Sequence, residues 1–97
     1  MYTICPHYAV FEWLETKRLK ILRDRELDFQ DTVQIFDGRP ALHVRSFRNN
    51  EDRVVSIAMI DSKFYAVVWT WRGENRRIIS FRRARDAEER RYRKLYG

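Results

Sequence analysis

The sequence has one cysteine, two prolines, three glycines and two histidines in 97 residues, and each shortage removes a class of protein. Cys5 alone forms no internal disulfide, which suits a reducing cytoplasm. Too few Gly and Pro are present for a flexible linker or a low-complexity tract. There is no Gly-rich phosphate loop and no Gly-x-Ser-x-Gly elbow. His7 and His43 stand far apart and no Cys/His pair has zinc spacing, so neither a metal nor another cofactor is expected. No apolar run approaches 18 residues, and the start is not a basic stretch followed by an apolar one. Neither a membrane span nor a secretory signal is therefore expected. Two domains would each be too short to bury a core, so residues 1–97 are read as one domain.

Positive charge is plentiful. The net charge is +6, and 16 of the 20 basic residues are Arg. From Arg72 to the end, ten basic residues face four acidic ones, whereas the preceding segment sums to zero. The planar guanidinium fork matches phosphate bidentately and stacks on bases, so an Arg bias favours nucleic-acid contact. A solvated basic face covered by an acidic partner is the other reading, and one surface can serve both.

Hydrophobic periodicity predicts an α+β domain. Tyr8 to Trp13 reads as a first strand. Leu14 to about Arg25 reads as a helix with Leu14, Ile21 and Leu22 on one side. Asp28 caps a second short helix to about Phe36, whose buried stripe is Phe29, Val33 and Phe36, and Asp37-Gly38 ends it. The period then changes to two. Ala41–Phe47, Arg53–Ile60, Phe64–Arg72 and Arg76–Arg82 read as strands, with turns at Asp61-Ser62-Lys63 and Gly73-Glu74-Asn75. Arg85–Tyr96 reads as a closing helix, with Arg85–Glu89 and Glu89–Arg93 as candidate pairs. The expected fold is two N-terminal helices, a mainly antiparallel sheet of four or five strands, and a C-terminal helix.

Strict alternation along the last strand puts Arg76, Ile78, Ser80 and Arg82 on one face and Arg77, Ile79 and Phe81 on the other. Two guanidinium groups and a hydroxyl sharing a face can hold a phosphate and offset charge that develops on it. Solvated edge charges around a quietly packed serine are the alternative. Tyr65, Trp69 and Trp71 share one strand face. A core role is expected for them, except for Trp71 near the strand end, where exposure beside Arg72 would suit RNA or a protein partner.

Phe11-Glu12-Trp13 with Lys17, then Asp28-Phe29, Val33 and Phe36, resembles the opening of the BrnT toxin family. Further along come Glu51-Asp52-Arg53, Thr70-Trp71-Arg72-Gly73, and Arg77-Ile78-Ile79-Ser80-Phe81-Arg82-Arg83-Ala84 leading to Glu88 and Tyr92. The likeness runs from about Phe11 to Tyr92. It implies a RelE-like fold and an endoribonuclease toxin that blocks translation. It also implies neutralisation by a BrnA-like ribbon-helix-helix antitoxin, in a complex with two copies of each. The chain departs from the family where Asp24-Arg25-Glu26 replaces a Lys-His-Gly stretch, where Leu14 and Ile21 replace Asp and Asn, and where Asn49-Asn50 replaces Tyr-Gly.

Cleavage of this kind needs a base for the attacking 2′-hydroxyl, an acid for the leaving oxygen, and cations for the phosphate. Arginine suits only the last task, because it stays protonated. With the resemblance, the expected catalytic set is Arg72, Arg77, Ser80, Arg82, Glu88 and Tyr92. The expected RNA-binding set is Glu51, Arg53, Arg76, Arg83, Lys17 and Trp71. Glu51, Glu88, Lys17, Tyr92, His7 and His43 are the candidates for proton transfer. Glu12 and Glu15 are expected to be structural, as carboxylates at a helix start. Two rival readings are a non-catalytic basic module that docks an acidic antitoxin or RNA, and a decayed toxin.

Overall fold

The computed structural model describes residues 2–4 and 11–97; Cys5, His7 and the start of the expected first strand, Tyr8 to Val10, lie outside the described residues. The order is β1 (Tyr2–Ile4), β2 (Phe11–Leu14), α1 (Glu15–Arg25), a 3₁₀ helix (Phe29–Phe36), β3 (Leu42–Arg48), β4 (Glu51–Ile60), β5 (Lys63–Arg72), β6 (Asn75–Arg83) and α2 (Asp86–Tyr96). The fold is α+β, with one sheet in the order β1-β2-β6-β5-β4-β3. β3 to β6 form an antiparallel meander. β2 pairs parallel with β6 and β1 antiparallel with β2, so the sheet is mixed and has six strands, rather than four or five.

All three hairpins of the meander have two-residue loops, and in two of them both loop residues have positive φ. Asn49 and Asn50 have φ of 53° and 58°, and Asp61 and Ser62 have 50° and 68°. Positive φ at both central residues is what a type I′ turn requires, and its twist matches that of the flanking strands. The Asn49-Asn50 hairpin joins β3 to β4 and sets Ser46 opposite Arg53 and Arg48 opposite Glu51.

The second expected helix is a 3₁₀ helix, and its buried stripe differs accordingly. Asp28 caps it, its side chain accepting from the Gln30 backbone N–H at 3.0 Å. With three residues per turn, positions i and i+3 eclipse. Phe29, Thr32 and Ile35 are therefore buried, while Val33 and Phe36 are only partly so. The Thr32 hydroxyl donates to the Phe29 carbonyl at 2.6 Å, which satisfies a polar group in the core. Helix α1 has no buried residue. Ile21 packs against the core, but Leu22 is exposed, contrary to the expected apolar side. The helix is tied down by polar contacts: Arg18 forks onto Asp28 at 2.8 and 3.0 Å and also pairs with Glu15.

The sheet buries both faces in two clusters. On one face Phe11, Trp13, Val67, Trp69, Ile78 and Phe81 meet Phe29 and Ile35 of the 3₁₀ helix. On the other, Leu42, Ile57, Phe64 and Ala66 lie under Tyr92 of α2.

The alternation expected for β6 fails at one point. Trp69 pairs with Ile78, but Val68 pairs with Ser80, so β6 holds one extra residue there, a β-bulge around Ile79. Ile78 and Phe81 consequently share one buried face with Arg76. Ser80 and Arg82 sit on the opposite face, opposite Val68 and Ala66. The expected single face of Arg76, Ile78, Ser80 and Arg82 is thereby split in two.

Candidate active site

The sheet face that carries α2 is only partly covered. Cross-strand rows there run Leu42, Ile57, Ala66, Arg82 and Val44, Val55, Val68, Ser80, with Ser46 beside Arg53 at the next level. Tyr92 and the rest of α2 cover the first row; beyond it a cleft of about 300 Å³ opens. Ser46 and Arg48 from β3, Arg53 from β4, Ser80 and Arg82 from β6, and Arg85 and Glu88 at the start of α2 line it, over a floor of Val55, Val68 and Ile79.

Its charges divide into those with partners and those without. Arg82 donates to both oxygens of Glu88, at 2.7 and 3.0 Å. Glu88 also accepts from the Arg85 backbone N–H at 2.8 Å, capping α2. The Arg82 hydrogen bonds hold the Glu88 carboxyl below the usual carboxylate range. Glu88 is thus an anion that braces Arg82, and a poor proton acceptor at neutral pH. Arg53 donates to Glu51 at 3.0 Å. Arg48 and Arg85 also line the cleft, and neither forms an ion pair among the described residues. Lys17, in the first turn of α1, is near enough to Arg53 to feel its charge. Burial, then that like charge, lower the Lys17 pKa from the ordinary 10.5.

Ser80 has a further neighbour. β2 ends at Leu14 and pairs with β6 only as far as Ile78, leaving the rest of that strand edge open. The C-terminal end of α1 crosses it. Arg25 Nη1 donates to the Phe81 carbonyl at 2.9 Å and reaches the Ser80 hydroxyl at 3.4 Å. Glu26, where the family has Gly, takes the left-handed cap position with φ 58°, and its N–H closes on the Leu22 carbonyl at 3.0 Å. The Arg25-Glu26 departure is thus a capping strain at one residue and a new cation at the other.

Of the residues singled out in the sequence, the cleft unites Arg53, Ser80, Arg82 and Glu88; Glu51 is bonded to Arg53, and Lys17 is near enough to Arg53 to feel its charge. Arg77 lies on this face but is buried, its Nε donating to the buried Glu12 carboxylate at 3.3 Å. Glu12 lies within β2, not at a helix start as expected, and Arg77 is its buried partner. Tyr92 is in the core: its ring packs on Phe64 and Tyr96, and its hydroxyl donates to the Pro40 carbonyl at 3.4 Å. Glu88 and Tyr92 share a helix, but Glu88 lines the cleft and Tyr92 does not. Arg76, Arg83 and Trp71 lie on the opposite face. Arg83 stacks on Tyr65 and donates to the Phe64 carbonyl, while Trp71 is exposed beside Arg76. Arg72 is exposed at the end of β5. His43 is on that opposite face too, bonded through Nδ1 to Ser56 Oγ at 2.7 Å.

Sequence reasoning missed Ser46, Arg48, Arg85 and Arg25. The first two were accessible through the Asn49-Asn50 turn, since a two-residue hairpin there fixes the β3–β4 register. Nothing local announces that Arg25 reaches Ser80. Among the described residues no three His, Cys, Asp or Glu side chains cluster to hold a metal ion, and no helix is long and apolar enough to cross a membrane.

A family model described as a ribonuclease toxin, BrnT, of type II toxin–antitoxin systems matches residues 13–88. The chain belongs to the BrnT family. The match takes in every residue that lines the cleft, and it stops at Glu88, the last of them. BrnT membership makes the protein a ribonuclease toxin by family, with an antitoxin as its partner and RNA as its target. No curated relative matches this sequence.

Proposed function

We propose that this BrnT toxin cleaves RNA without a metal ion, using the cleft between β3, β6 and the start of α2, and so blocks translation in the cytoplasm. The observation that carries this reading is the pair Arg48 and Arg85: two guanidinium groups that form no ion pair among the described residues, although Arg85 is near enough to Glu88 to feel its charge, and that line one cleft with Ser80. Arg48 and Arg85 take the phosphate oxygens, and the Ser80 hydroxyl donates to a third oxygen. Arg82 and Arg53 are held in place by Glu88 and Glu51, adding positive potential at lower mobility.

In the reaction the 2′-oxygen forms a bond to phosphorus and the bond from phosphorus to the 5′-oxygen breaks. The 2′-hydroxyl releases its proton to solvent water, and one proton reaches the departing oxygen. The products carry a 2′,3′-cyclic phosphate and a 5′-hydroxyl. Lys17, with its lowered pKa beside Arg53, is the group suited to protonate the leaving oxygen. A BrnA-like ribbon-helix-helix antitoxin neutralises the toxin, with two copies of each in the complex, as the family resemblance implies. RNA incubated with the protein in excess EDTA tests the reading. Fragments ending in cyclic phosphate support it, and intact RNA favours a basic module that binds without cutting.

A further inference from the structure

The sheet face opposite the RNA cleft carries a second opening, of about 450 Å³, between the 3₁₀ helix and strands β3 to β6. Its centre is Arg76. The guanidinium carbon lies 4.6 Å from the ring centroid of Phe36, 4.8 Å from Trp71, 5.2 Å from Trp69 and 5.8 Å from Phe11. These rings hold a cation well but give it no counter-ion. Arg76 forms no salt bridge among the described residues, and its Nε is buried without a hydrogen-bond partner. Burial lowers its pKa, yet a guanidinium stays protonated.

The other charges of the opening leave the imbalance standing. Asp37 is taken by Arg39, which donates to it from its backbone N–H and its guanidinium at 2.7 to 3.0 Å. Arg45 pairs only loosely with the exposed Asp52, at 3.5 Å. His43 adds no charge at pH 7, because burial and then Arg76 hold its pKa below 6.5. The floor is apolar, formed by Ile35, Phe36, Val54 and Trp69. An occupant must therefore offer an anion beside an apolar side chain. A nucleic-acid phosphate and a carboxylate both shed strongly held water against these rings, so the anion alone does not choose between them. The apolar floor does: a peptide can set a Leu or Phe side chain there beside its carboxylate, which a sugar-phosphate backbone cannot.

We infer that this opening docks an acidic peptide segment of a partner protein, with a carboxylate on Arg76 and an adjacent large apolar side chain on the floor formed by Ile35, Phe36 and Val54. The family's antitoxin is the partner that such a segment would belong to, and the inference is independent of the RNA reading. Because the two openings are on opposite faces, the docked segment leaves the RNA cleft uncovered.

The test uses the ¹⁵N-labelled full chain and three probes: the capped peptide Asp-Glu-Leu-Glu-Asp, the same peptide with Asn and Gln for its acids, and a non-cleavable 2′-deoxy oligonucleotide. The acidic peptide is expected to shift the Trp69 and Trp71 indole N–H signals at millimolar concentration, and the amide peptide to leave them in place. Arg45→Glu, at an exposed rim position, should weaken the acidic peptide about tenfold with the fold unchanged, and Arg76→Gln should abolish its effect. Unmoved indole signals with the acidic peptide overturn the inference. So does an oligonucleotide that shifts these signals at lower concentration than the peptide, which would assign the opening to nucleic acid. The RNA reading fails separately, if the oligonucleotide leaves the Ser80 and Arg85 amide signals unmoved.

Discussion

Glu88 binds both sides of a junction: through its two oxygens it grips the Arg82 guanidinium, and through one of them it also holds the Arg85 backbone N–H. One carboxylate thus joins the end of β6 to the start of α2 along the wall of the cleft. Both side chains are about four-fifths covered, so the pair contributes more than a surface ion pair does. Glu88→Ala is expected to cost about 1–3 kcal/mol in urea unfolding. An unchanged midpoint would mean that the junction holds without it.

The same bond sets an acid limit. The folded-state pKa of Glu88 is below its ordinary 4.5, mainly through Arg82, and that of Asp28 is below 3.8, mainly through Arg18. A depressed carboxylate stabilises the fold above its unfolded pKa, and that contribution is lost as pH falls through the folded value. Stability should therefore be level from neutrality to about pH 5 and decline below about pH 4.5. The decline should be shallower in Glu88→Gln, measured by thermal melts across that range.

Arg77→Ala is expected to remove activity by the wrong route. Arg77 and Glu12 are both buried and bonded to one another, and truncating one leaves a buried charge without its partner, at a cost of about 3–5 kcal/mol. Circular dichroism should show a lowered melting temperature. An Arg77→Ala protein that melts normally yet fails to cut RNA would instead place Arg77 in the chemistry.

Glu26→Gly should stabilise the protein by about 0.5–1 kcal/mol, since the left-handed cap costs an L-residue about 1–2 kcal/mol and glycine returns part of that gain through its freer unfolded chain. Differential scanning calorimetry reads the shift; a lower melting temperature would mean that the Glu26 side chain makes a contribution of its own.

These four effects also measure how much of the molecule is written locally. The elements from Glu15 onward are nearly all readable, because period and caps agree: Asp28 caps the second helix, Asp37-Gly38 ends it, and Asp61-Ser62 turns between two apolar strands. The parallel pairing of β2 with β6 is not readable, for it joins Phe11 to Arg76 across 65 positions. The bulge is hidden for a different reason. Ile78 and Ile79 are the same residue, so nothing in the alternation tells which one is extra. That single residue moved Arg76 away from Ser80 and Arg82. The expected convergence of the last hairpin's arginines is therefore replaced by a convergence of three elements. β3 supplies Arg48, β6 supplies Ser80 and Arg82, and α2 supplies Arg85.

Lys17 gives a kinetic signature. In the role proposed for it, protonating the leaving oxygen, it must carry its proton, so cleavage is then predicted to fall as pH rises through its lowered pKa, short of the ordinary 10.5. The alkaline limb should vanish in Lys17→Met along with most of the rate. A limb that persists in Lys17→Met would assign the proton to another group.

The most direct measurement is the rate of RNA cleavage in EDTA by the wild-type chain and by Arg48→Ala and Arg85→Ala, with folding verified by circular dichroism. Both positions line the cleft and form no ion pair among the described residues, so both variants should fold normally and cut about 100-fold more slowly. Undiminished cleavage in either folded variant, or none in the wild type, contradicts the assignment of this cleft to RNA cleavage.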